Sequence, residues 1–133
     1  MAARATTSSL TDRVRRGMLA IEGVVESEGA FGDGAAFWVN GKQIATFAGD
    51  DAIELRITRA VFAADRERLK ADERVRRHGA SSDWIDVRFS SHDDVRFVLE
   101  LAERAAAAHR SPAGTTPKPP PSGADLARRK RFH

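Results

Sequence analysis

The stretch AAFWVNGKQIATF, residues 35–47, decides the fold. Asn40-Gly41 tolerates the positive φ angles of a type I′ turn, so two residues join two antiparallel strands. A two-residue loop fixes register. Val39 is expected opposite Lys42, Trp38 opposite Gln43, and Phe37 opposite Ile44.

Working outward, AGDD (residues 48–51) reads as a four-residue turn and AIELRI (residues 52–57) as a third strand. That loop length sets Thr46 opposite Ile53, Ile44 opposite Leu55 and Gln43 opposite Arg56. WIDVRF (residues 84–89) repeats the alternation of IELRI: apolar, acid, apolar, arginine, apolar. Side chains alternate across a sheet, so one face collects Phe37, Val39, Ile44, Thr46, Ile53, Leu55, Ile57, Ile85, Val87 and Phe89. The opposite face collects Trp38, Gln43, Ala45, Phe47, Glu54, Arg56, Trp84, Asp86 and Arg88. Glu54/Arg56 and Asp86/Arg88 are then the outward positions of two strands, where cross-strand ion pairs contribute a few tenths of a kcal/mol each.

Helices flank this sheet. Leu10, Val14, Met18 and Ile21 share one stripe, with Ser9 and Asp12 as a capping box and Gly23 as a stop, which predicts a helix over 9–22. Val24 and Val25 begin a short strand. Gly29, Gly32 and Gly34 then serve turns, since neither Gly-Lys-Ser/Thr nor G-x-G-x-x-G is present. Thr58 caps a helix over 59–71. The polar stretch DERVRRHGASSD has room for one short strand. Ser91, with Asp93 and Asp94 in the first turn, starts a last helix that Pro112 ends.

The 133 residues suit one domain. The expected fold is α+β: an antiparallel sheet of four or five strands packed on two or three helices. Residues 1–8 form a disordered N-terminus, 9–110 the single domain, and 111–133 a Pro-rich linker with a basic tail. Zero cysteines remove disulfides, thiolate nucleophiles and cysteine metal sites. MAARATTSS lacks the apolar stretch of a secretory signal, so the expected location is cytoplasmic.

The net charge is +3, from 22 basic and 19 acidic residues. From Ser111 onward Lys118, Arg128, Arg129, Lys130 and Arg131 stand against one acid, Asp125, leaving residues 1–110 with 17 basic and 18 acidic groups. The basic character therefore belongs to the tail.

The outward face interleaves aromatics with arginines and carboxylates. Trp38, Glu54, Arg56, Trp84, Asp86 and Arg88 are the candidate binding residues, for a protein partner or self-association. His78 and Asp83 mark a candidate pocket beside Trp84, where a carboxylate could orient the imidazole. Lys118, Arg128, Arg129, Lys130 and Arg131 form a candidate anion-binding arm for nucleic acid or another polyanion. His78, His92, His109 and His133 show no H-x-x-x-H spacing, so no metal ligand is assigned. Ser81-Ser82 lacks the G-x-S-x-G context of a nucleophile elbow, so no catalytic residue is assigned and no cofactor is expected.

The run FWVNGKQIATFAGDDAIELRI, the segment with His78, SSDWIDVRF and SHDDVRFVLELAERA resembles the bacterial luciferase-domain family over about residues 18–110. Gly41-Lys42, Gly49-Asp50 and Trp84 carry the resemblance. It is more distantly similar to the MmcQ/YjbR-like α+β domains. These motifs are structural, and the resemblance implies no catalytic residue. The expected function is a non-enzymatic binding or adaptor module. A small-ligand or enzymatic pocket at His78, Asp83 and Trp84 and a nucleic-acid-binding tail are the alternatives.

Overall fold

A computed structural model describes residues 7–29, 35–79 and 82–121. The element order is α1 (Thr7–Leu19), β1 (Val24–Glu28), β2 (Ala35–Val39), β3 (Lys42–Phe47), β4 (Ala52–Arg56), α2 (Arg59–Ala64), α3 (Arg66–Ala71), β5 (Val75–Arg77), β6 (Trp84–Arg88) and α4 (His92–His109). The six strands form one antiparallel sheet in the order β1-β2-β3-β4-β6-β5. Both short strands foreshadowed by the sequence enter it, β1 at one edge and β5 at the other.

The Asn40-Gly41 turn forms as expected, with φ of 51° and 76°. Val39 pairs with Lys42 and Trp38 with Gln43. The register then slips. A bulge follows, so Phe37 pairs with Ala45 and Ala36 with Thr46, and Ile44 is the extra residue. The β3–β4 turn is also tighter than four residues, because Ala48 N–H donates to Ala52 O at 2.8 Å. Phe47 therefore opposes Ile53, Ala45 opposes Leu55 and Thr46 opposes Glu54. The expected placement of Ala45 and Phe47 outside and Thr46 inside is corrected by this single slip, which turns each residue to the other face. Phe47 instead packs edge-on against Phe37 and Phe89.

The main core lies between the sheet and the helices. Leu10, Val14, Met18 and Ile21 meet Val95, Val98, Leu101, Ala102, Ala105 and Ala106 over Phe37, Val39, Ile44, Leu55, Ile85 and Val87. Each large side chain buried there stabilises the fold by roughly 1.5–3 kcal/mol. α1 and α4 cross closely at Gly17, where a Cβ would sit 2.3 Å from Leu99 Cδ1.

α1 starts at Thr7, so Ser9 lies within the helix rather than at its cap. The expected helix over 59–71 breaks in two at Asp65, whose φ of −128° is not helical. Its carboxylate accepts ion pairs from Arg68 at 3.2 Å and Arg104 at 2.9 Å. Thr58 caps α2 as expected, accepting from Val61 N–H at 3.2 Å. Ser91 caps α4, accepting from Asp94 N–H at 3.2 Å. The chain is tied to the domain just before the Pro-rich linker and again within it. Arg110 Nε donates to Glu22 O at 2.9 Å, and Lys118 N–H donates to Asn40 Oδ1 at 2.8 Å.

Candidate functional site

The second face of the sheet carries the candidate residues. Among the described residues no helix adds a buried apolar side chain to it: its buried apolar pair is Ala36 and Trp38, a cluster separate from the main core. Strand alternation and the observed register place Val25, Trp38, Gln43, Thr46, Glu54, Arg56, Trp84, Asp86, Arg88, Arg76 and His78 along it, from the β1 edge to the β5 edge.

The face has two zones. Near β2 it is closed, with Ala36 0%, Trp38 2% and Thr46 5% exposed. Trp38 thus forms a floor, and its indole N–H is buried without a hydrogen-bond partner among the described residues. Near β4 and β6 the face holds partly exposed polar groups. Trp84 and Arg56 are half-buried and Arg88 is exposed. Arg56 Nε is buried without a hydrogen-bond partner among the described residues.

Register decides which charges meet. Glu54 stands directly opposite Asp86, Arg56 opposite Trp84, and Ala52 opposite Arg88. The ion pairs expected between the two strands are therefore not the directly opposed pairs: acid faces acid. Like charges directly opposite one another destabilise a sheet. His78, just past β5, fills the space between them. Its Nε2 lies 2.7 Å from Asp86 Oδ1 and 3.7 Å from Glu54 Oε1. His78 N–H donates to Trp84 O at 3.3 Å, so the residue continues the β5–β6 ladder and its side chain is set by the sheet. The ligand atoms of Glu54, His78 and Asp86 all lie within 4.8 Å of one another. One imidazole and two carboxylates at that spacing can hold a cation, or leave the imidazole oriented by a carboxylate.

Asp83 is elsewhere. It accepts from Arg59 N–H at 3.1 Å, and its backbone carbonyl accepts from Thr58 N–H at 3.2 Å. It fastens the start of α2 to β6, so the carboxylates beside His78 are Asp86 and Glu54. Lys118 is exposed at the linker end, with its Cβ 3.1 Å from where a Gly41 Cβ would stand. Arg128, Arg129, Lys130 and Arg131 lie outside the described residues. Sequence reasoning missed Arg76, which pairs in register with Asp86. The alternation of Arg76 and His78 along one short strand was the signal for it.

On the helix side a second charged group is built into the structure. Arg74 bonds Asp72 Oδ2 at 2.7 Å and Asp94 Oδ1 at 3.0 Å, and its guanidinium lies 3.9 Å from the Phe97 ring centroid. The hydrogen bond from Arg74 holds the Asp72 carboxyl below its ordinary range against the opposing effect of burial. Burial pushes Asp94 up, but bonds from Ser90 and Arg74 outweigh it and hold that carboxyl low as well.

A family model described as Luciferase domain matches residues 41–105. The match runs from the β2–β3 turn into α4, and it supports the resemblance to the luciferase-domain family. No curated protein and no solved structure matches the chain. No helix among the described residues is long and apolar enough to cross a membrane.

Proposed function

We propose that the chain is a bacterial, cytoplasmic binding module of the luciferase-domain type that docks a protein partner on the second face of its sheet. One observation carries this reading: the buried side chains of the described helices join the core on the other face, while Trp84, Arg56, Asp86 and Arg88 stand together where none of the described helices packs. An aromatic ring among arginines and carboxylates suits a polar, partly hydrated interface. Trp38, buried on the same face at β2, is structural and not one of the contact residues. The contact residues are Trp84, Arg56, Arg88, Glu54 and Asp86.

The test compares the wild type with a Trp84→Ala, Arg88→Ala double variant. Each is coupled to a resin, exposed to host lysate, and analysed for bound protein, with sedimentation velocity to detect self-association. The expected result is a partner or a self-associated species lost at least tenfold in the double variant, with an unchanged circular dichroism spectrum. Identical binding by both proteins contradicts the reading.

A second reading is favoured by the 2.7 Å bond between His78 and Asp86. A histidine held by a carboxylate is the pairing that a general base uses. It would make the same face a small-ligand site centred on His78. The third, nucleic-acid binding by the basic tail, depends on residues that lie outside the described ones.

A further inference from the structure

We propose that Glu54, His78 and Asp86 bind a divalent transition-metal ion of the zinc type. The site goes beyond the docking of a protein partner and stands whether or not one binds.

Three observations lead there. First, the ligand set is of the right kind. An imidazole nitrogen and two carboxylate oxygens bind zinc and its neighbours, and imidazole disfavours the hard ions magnesium and calcium. Second, the spacing is right. Ligands about 2.0–2.1 Å from a tetrahedral ion stand about 3.3 Å from one another. His78 Nε2 is 2.7 Å from Asp86 Oδ1 and 3.7 Å from Glu54 Oε1. The two separations bracket that value, and all three ligand atoms lie within 4.8 Å of one another. Third, the backbone register puts Glu54 and Asp86 directly opposite each other. Two carboxylates brought face to face with an imidazole between them present their oxygens to one point, as a cation requires.

The site is rigid below and open above. Leu55, Ile85 and Val87, which alternate with the ligand positions, are no more than 1% exposed and lock β4 and β6 in place. The three ligand side chains are 33%, 34% and 32% exposed, so an ion enters directly from solvent. Three protein ligands leave a fourth position for water or for a donor from a docked molecule. Arg76 opposite Asp86, and Arg56 and Arg88 one alternate position along from the acids, oppose a cation. The ion's direct bonds to three ligand atoms have to outweigh that repulsion. On binding, the imidazole presents the Nε2 lone pair to the ion and keeps its proton on Nδ1.

The experiment is calorimetric titration of zinc chloride into the full chain after chelator treatment and dialysis, with magnesium chloride as comparison. Wild type, Asp86→Asn and His78→Ala are titrated, and circular dichroism checks that each is folded. The expected result is saturable binding of one zinc ion, at least tenfold weaker in both variants, with magnesium bound far more weakly. A measurement on unaltered protein accompanies it. Cobalt(II) added to the ¹⁵N-labelled chain should first broaden the amides around Glu54, His78 and Asp86. No saturable zinc uptake up to about 1 mM overturns the proposal. So does equal binding by wild type and variants, equal affinity for magnesium, or broadening centred on another part of the chain such as His92 or His109.

Discussion

Replacing Trp38 with alanine is expected to cost about 3–5 kcal/mol, enough to remove much of the stability of a domain this size. The side chain is 2% exposed and is the largest in the protein to be so buried. Truncation leaves a cavity beside Ala36 under the β1–β2–β3 half of the sheet. Trp38→Phe is expected to behave quite differently. It keeps most of the buried ring and removes an indole N–H that has no partner among the described residues. An unsatisfied buried donor costs about 1–3 kcal/mol, so its removal offsets much of the lost volume. Urea denaturation of the two variants checks this. If Trp38→Ala stays within about 1 kcal/mol of wild type, Trp38 is not a structural floor.

Arg74→Ala is expected to cost about 2–3 kcal/mol, through the loss of three charge-assisted bonds, two to Asp72 and one to Asp94. Its contact with the Phe97 ring is lost as well. Arg74 ties the start of β5 to the first turn of α4 through Asp72 and Asp94. Both carboxyls are held below their ordinary range in the folded protein. Their contribution is therefore complete above the carboxylate value of the unfolded chain, and is lost as the pH falls through the depressed folded values. Wild type should lose stability as the pH falls below the ordinary carboxylate range, and Arg74→Ala should lose less over the same acid range. Urea midpoints measured across that range decide the matter; parallel curves for the two proteins would contradict the assignment.

The amino-acid pattern carried most of the architecture. Asn40-Gly41 determined the hairpin, and the apolar positions of IELRI and WIDVRF were read onto the correct face because a period of two leaves little choice. Helix α4 followed from its cap and its stripe. The register beyond the first hairpin was less legible. A bulge at Ile44 has no strong residue signature, and it alone turned Ala45, Thr46 and Phe47 the wrong way; the tighter turn after Phe47 then returned Ile53 and Leu55 to the expected face.

The same limit applied to the site. Glu54, Asp86 and His78 were each singled out from the sequence, but their mutual contact depends on which strand neighbours which. β4 and β5 both pair with β6, which brings His78 to Asp86 and Glu54 rather than to Asp83 five residues away. Metal-ligand spacing along a chain reports sites built within one helix or loop. It is silent on a site assembled across three strands.

Docking on the second face of the sheet requires that face to be closed over Trp38 and accessible at Trp84. Acrylamide quenching of the two single-tryptophan proteins, Trp38→Phe and Trp84→Phe, measures this directly. Strong quenching is expected where Trp84 is the sole indole and weak quenching where Trp38 is. Equal protection of both rings would mean that the whole face is covered, and the proposed docking surface would be lost.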